Sequence, residues 1–218
     1  MVTSILDAII KGGPLMIPLM VCSILALGVL FDRWWAFRVN RKTDTRALRA
    51  NVLELMDQEK ADDAAVLCSN TPGPISAVLL AGLQAYARHR EVKKSTEALL
   101  NVVEKTMDDY SEHAMSAVQK RLNVLATIGN AAPLLGMTGT VTGMIGSFSH
   151  LQEGAGSAAV ALGIAEALIT TAAGLLIALA AVIPYHYFMS QAGRIDLEIN
   201  EASSELLDLL ATRAGITR

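Results

Sequence analysis

Charge is scarce in this chain. Of its 218 residues, 18% are Asp, Glu, Lys or Arg, against about 25% in an ordinary soluble domain. The deficit is concentrated. Residues 12–31 and 122–152 carry none of the four types, and 154–193 carries only Glu166. Each stretch exceeds the roughly 20 residues that a helix needs to cross hydrocarbon. With a net charge of −3 the sequence has no large basic patch, which excludes the usual electrostatic footprint of a nucleic-acid binder. It has only two cysteines, Cys22 in the first apolar run and Cys68 in a polar region, so no disulfide is expected. The four histidines are scattered, with no metal-ligand spacing, and no glycine-rich phosphate loop ends in Lys-Ser or Lys-Thr. Enzyme chemistry therefore has no support, and no cofactor or metal is expected.

What is present is a set of three spans. The first ends in Phe31-Asp-Arg-Trp-Trp-Ala-Phe-Arg38, which lacks a small-residue cleavage site. Trp34 and Trp35, flanked by Arg33 and Arg38, read as anchors at a membrane interface, so this span is retained. Of 18 Lys and Arg, one precedes span one, 14 lie between spans one and two, none between spans two and three, and three follow span three. The positive-inside rule then orients the chain. Residues 1–11 are expected outside, 12–35 form span one, and 36–121 form a cytoplasmic helical region. Span two covers 122–149, a short periplasmic loop 150–157, span three 158–188, and a cytoplasmic helix 189–218.

The polar parts read as helix throughout, with no strand pattern and no internal repeat. Residues 45–70 suggest one helix and about 75–90 another, separated by Thr71-Pro-Gly-Pro74. From Val92 an apolar stripe at three- and four-residue spacing runs into span two, predicting one helix over 92–148. Span three continues likewise through Ile195, Ile199, Ala202, Leu206 and Leu209. The fold class is all-α: three transmembrane helices, two of them extending into a cytoplasmic helical bundle.

On a helical wheel, Gly129, Ala132, Pro133, Gly136, Thr140, Gly143 and Ser147 share one sector of span two, and Gly139 pairs with Gly143 as G-x-x-x-G. Leu134, Met137, Val141 and Ile145 fall outside it. Gly163, Ala167, Thr171 and Gly174 cluster on span three, with Glu166 and Thr170 in a neighbouring sector. Two readings stand side by side. The small faces serve close helix packing with hydroxyls bonded to the carbonyl one turn back, or hydroxyls on both helices line a passage for an ion. Glu166 favours the second, because a carboxyl at membrane depth costs about 2.5–3.5 kcal/mol and is a functional-site candidate by default.

The runs Leu125-Ala-Thr-Ile-Gly129, Ala132-Pro-Leu-Leu-Gly-Met-Thr-Gly-Thr-Val-Thr-Gly-Met144 and Gly163-Ile-Ala-Glu-Ala-Leu-Ile-Thr-Thr-Ala-Ala-Gly174 resemble the ExbB/TolQ/MotA proton-channel family. Three spans place the resemblance on the ExbB/TolQ side. It implies a homopentamer in the bacterial inner membrane, with spans two and three lining a pore. A dimer of single-span ExbD/TolR-like partners would occupy that pore, each bringing a membrane aspartate. Proton flow would move these partners, and the motion would pass to a TonB- or TolA-like periplasmic arm. The resemblance matches Thr140 and Thr171 to the threonines facing that aspartate, Glu166 to the membrane glutamate, and Pro133 to the span-two proline. Thr138 and Thr142 stand where relatives often carry bulky apolar residues, which leaves Na⁺ open beside H⁺. A non-conducting scaffold is the other reading. Thr138 and Thr170 are expected to tolerate Val better than Thr140 and Thr171.

Overall fold

The computed structural model describes residues 12–40, 44–90, 96–152, 156–213 and 215. The described residues form seven helices and no strand: α1 Met16–Asn40, α2 Thr45–Asp57, α3 Ala61–Asn70, α4 Pro74–Arg90, α5 Thr96–Lys120, α6 Leu122–Gln152 and α7 Ser157–Arg213. The expected external segment 1–11, the Val92 start of the long stripe and residues 153–155 of the expected loop lie outside the described residues. Three helices are long and apolar enough to cross a membrane: Met16–Arg38, Leu122–Gln152 and Ser157–Arg213. The chain is an all-α membrane protein. It divides into two compact units, one of residues 1–33 and 121–188, the other of 34–120 and 189–218.

The first unit is built from α1, α6 and the first part of α7. Its burial pattern is inverted relative to a water-soluble domain. Gly129, Ala132, Gly136, Gly139 and Ser147 of α6 are buried, as are Ala167, Ala178 and Ala181 of α7. Beyond the first turns of α6, where Leu122, Leu125 and Ile128 are buried, large residues point away: Leu134, Val141, Ile145 and Phe148 on α6 and Leu168, Leu176 and Ile183 on α7 are all more than half exposed. In water so large an apolar exterior marks an interaction surface; in lipid it carries no such cost, and small residues inside let backbones approach. Met16 and Leu19 of α1 complete the core against Ala132 and Ala178.

Pro133 and Pro184 both lie within continuous helices. At the other end of the unit, Arg121 occupies the single non-helical position between α5 and α6. The expected single helix over 92–148 is therefore broken. Arg121 Nη1 donates to Asp32 Oδ1 at 2.6 Å, while Arg33 Nε and Nη2 hold Asp32 Oδ2 at 2.9 and 2.8 Å. A residue so engaged by α1 is drawn out of the helical path, which periodicity alone does not show.

The second unit packs α2 to α5 and the last part of α7 around Val52, Met56, Val78, Leu79, Leu83, Val103, Met107 and Leu206, among others. Helix α2 begins at Asp44, whose carboxylate accepts from Arg46 N and Ala47 N at 3.1 and 3.2 Å, a conventional N-cap. The expected helix over 45–70 is split at 58–60. Lys60 N donates to Leu55 O and Glu59 N to Met56 O, with Glu59 at φ 62. This is a Schellman ending. The left-handed position is held by Glu instead of Gly, so the sequence carries no glycine signal there. Arg49 forks onto Glu201 at 2.8 Å and Glu205 at 2.5 Å, tying α2 to α7, and these carboxylates hold the guanidinium above its ordinary pKa.

Candidate functional site

The glycines set the distance between α6 and α7. These helices run antiparallel, so contacts descend one as they climb the other. A Cβ on Gly174 would stand 2.6 Å from Ala132 O and 3.1 Å from Gly136 Cα. One on Gly136 would meet Thr171 Cα at 3.1 Å. One on Gly143 would meet Ala167 Cβ at 2.7 Å, and one on Gly163 would meet Ser147 Oγ at 2.3 Å. Further along, Gly129 faces Val182 at 2.4 Å. The seam is backbone on backbone at its centre, where no side chain can give way. Pro133 is half-buried beside it.

Hydroxyls follow the same seam. Thr171 Oγ1 donates across it to Gly136 O at 2.7 Å, with Ala167 O at 3.2 Å as an acceptor one turn back. Thr140 Oγ1 donates within its own helix to Met137 O at 2.7 Å. Thr138 and Thr142 do the same to Leu134 O and Thr138 O, at 2.8 and 2.9 Å. Thr140 and Thr171 are both half-buried, so each hydroxyl keeps lone pairs available to an incoming group.

Glu166 lies elsewhere. Five residues separate it from Thr171, about 140° around a helix. Its carboxylate is turned toward the leading turn of α1: a Cβ built on Gly13, itself at φ 69, would stand 2.1 Å from Glu166 Oε1. Glu166 lines a cleft of about 270 Å³ with Gly13, Thr142, Ser147, His150 and Thr170. Neither Thr140 nor Thr171 lines that cleft. Thr170 is 1% exposed and its Oγ1 donates to Gly12 O at 2.5 Å. The candidate site thus has two parts within this unit, a hydroxyl seam and a carboxyl cleft.

Sequence reasoning missed His150 as a lining residue and named Thr142 only for its bearing on the choice of ion. A signal was available, because Gly139, Gly143, Gly146 and His150 fall on one helical stripe. The α1 side of the cleft, more than a hundred residues away, had none. Of the expected interface anchors, Trp34 and Trp35 are 49% and 68% exposed. The Arg38 guanidinium lies 5.1 Å above the Trp34 ring. Arg33 is engaged by Asp32.

Apolar helices joined through small residues, with a lone carboxyl in a cleft between them, define a membrane protein with a close-packed helical core. Comparison with known proteins specifies it. Residues 70–201 match the MotA/TolQ/ExbB proton channel family. The chain is 35% identical over 193 residues to the putative biopolymer transport protein ExbB-like 1 of Synechocystis sp., covering 85% of this chain and 71% of that one. It is 30% identical over 214 residues to the biopolymer transport protein ExbB of Salmonella typhimurium, covering 95% and 83%. It is also 30% identical over 180 residues to the Tol-Pal system protein TolQ of Pseudomonas aeruginosa, covering 81% and 78%. The chain belongs to the MotA/TolQ/ExbB proton channel family, a family of energy-transducing membrane proteins.

Proposed function

We propose that this chain is the pore-forming subunit of a proton-driven motor in the bacterial inner membrane, with its N-terminus periplasmic and its C-terminus cytoplasmic. Five copies form the ring, α6 and α7 line its pore, and α1 lies outside against lipid. Two single-span partners of the ExbD/TolR kind stand in the pore and pass motion to a periplasmic arm of the TonB or TolA kind.

One observation carries this reading. Across 12–31, 122–152 and 154–193, a proton channel family member supplies a single carboxyl, Glu166. It sits about 140° away from the seam hydroxyl of Thr171. A proton path along the seam then needs a second titrating group, and a partner carboxylate meeting Thr140 and Thr171 provides it. A hydroxyl donates to an ionised carboxylate and accepts from a protonated one, so it stays bonded through the cycle. Each charge crossing 100 mV releases about 2.3 kcal/mol, enough to bias a packed interface with a gap of a few kcal/mol.

Thr140→Val and Thr171→Val test it in the complex with its partner. Both variants should purify as rings by native mass spectrometry, while partner-dependent transport or envelope integrity is lost. Wild-type work by both would reduce the hydroxyls to packing features and leave a scaffold. Work that persists under a sodium gradient alone would replace the proton.

A further inference from the structure

The carboxyl cleft is assigned no part by the hydroxyl seam. It is bounded by three elements. From the leading turn of α1 come Gly12 to Leu15, from α6 Thr142, Ser147 and His150, and from α7 Gly163, Glu166 and Thr170. Among these residues the titratable groups are two: His150 from α6 and Glu166 from α7, with none from α1. Glu166 is half-buried, whereas His150, in the last turns of α6, is exposed. The remaining lining is hydroxyls, glycine backbone and the apolar Pro14, Leu15 and Ala167, and the volume of about 270 Å³ admits several waters.

We infer that His150 is the proton-loading residue for Glu166, a role that rests on the proton-driven reading above. The exposed imidazole takes a proton from water at the mouth of the cleft. The imidazolium then gives it, through water between Thr142 and Ser147, to the Glu166 carboxylate. The products are neutral imidazole and a carboxylic acid; the imidazole is protonated again from outside, and the acid returns to carboxylate by giving its proton to the partner carboxylate of the proposed motor. Imidazole suits this task because one ring nitrogen can accept a proton while the other donates one. In the proposed orientation the mouth faces the periplasm, the side from which protons enter. The route runs beside α1 and shares Gly143, Ser147, Gly163 and Ala167 with one end of the seam.

The experiment measures partner-dependent proton uptake by the whole complex in oriented vesicles, with the internal pH fixed and the external pH varied from 5 to 8.5. The wild type should change several-fold across this range. His150→Gln should abolish that limb and lower the rate at least fivefold at pH 6, with ring and partner retained. Glu166→Gln should be inactive at every pH. A His150→Gln profile that superimposes on the wild type overturns the role of His150 and leaves the motor intact. A wild-type complex that moves no protons at any pH overturns the motor itself. A second measurement does not depend on the His150 variant. A Cβ at Gly146 meets nothing within 4 Å, so Gly146→Cys, made with Cys22→Ala, should assemble. It should react with a water-soluble thiol reagent added outside, and His150→Gln should leave that labelling in place. A Gly146→Cys ring that resists labelling means the cleft is closed to outside water and overturns the route.

Discussion

Thr171 on α7 donates its hydroxyl hydrogen to the carbonyl of Gly136 on α6 at 2.7 Å. The same side chain ties two helices together and, in the proposed motor, meets a partner carboxylate. The two roles separate by magnitude. Side-chain hydrogen bonds between membrane helices average about 0.6 kcal/mol, with a maximum near 1.7. Thr171→Val should therefore lower the thermal stability of the detergent-solubilised ring only slightly. Its ion-coupled work should fall far more, and Thr171→Ser, which keeps the donor, should retain more of it. Stability and work lost in proportion would make Thr171 a packing residue.

The glycine seam makes a steric prediction. At Gly174 an added Cβ meets Ala132 O at 2.6 Å and Gly136 N at 3.2 Å, both backbone. Gly174→Leu should prevent the hairpin of α6 and α7 from closing, seen as loss of folded protein in detergent. Gly146→Ala, with open space around it, should be neutral or gain about 0.5–1 kcal/mol from the better helix former. Equal tolerance of both would contradict the close approach.

Much of this was legible in the sequence. The three apolar runs, the small face on α6 and the break at Thr71–Pro74 follow from composition and spacing. The places that were not legible share a cause, namely that the deciding group is distant or atypical. The break at Arg121 depends on Asp32, 89 positions earlier. The end of α2 uses Glu59 where a glycine would have announced it. The wheel placed Glu166 in a sector beside that of Thr171, but the Gly13 turn toward which its carboxylate is directed had no signal. Helical wheels sort residues by face but do not say which neighbour occupies each face.

Glu59 offers a stabilising substitution. A non-glycine residue in the left-handed region costs about 1–2 kcal/mol, and Glu59 sits there at φ 62. Glu59→Gly should raise the unfolding midpoint of the helical region around Met56 and Leu206. The gain is partly offset by the greater freedom of glycine in the unfolded chain. A drop in midpoint would show that the Glu59 side chain contributes more than its backbone conformation costs.

Cys68 is 2% exposed in the core of the second unit, and burial pushes its thiol up to about 11 from an ordinary 9.0. The unfolded chain therefore loses this proton first. The contribution to stability is fully present below about pH 9 and is lost as pH rises toward 11. At pH 8 Cys68 should resist a maleimide in the folded ring and react promptly after denaturation. Rapid labelling of the native protein would mean that this core opens.

Thr170 and Thr138 were both expected to tolerate Val better than Thr140 and Thr171, and their surroundings differ. Thr170 is buried, and its hydroxyl donates to Gly12 O at 2.5 Å, with Glu166 O at 3.1 Å as the acceptor in its own helix. Val would preserve its shape, and its methyl would still fill the space over Gly139, where an added Cβ would meet Thr170 Cγ2 at 2.7 Å. The loss is confined to the bond to Gly12, which is itself buried. A buried carbonyl left without its donor costs about 1–3 kcal/mol. The turn that carries Gly13 past Glu166 would lose its tie to α7. Thr170→Val should therefore destabilise the ring by about that amount, and a Leu15→Cys probe should label faster in its presence. Thr170→Ser should restore both. Thr138→Val, which gives up only a bond to Leu134 O in its own helix, should change neither. Identical unfolding of Thr170→Val and Thr138→Val would show that the bond to Gly12 does not hold α1 in place.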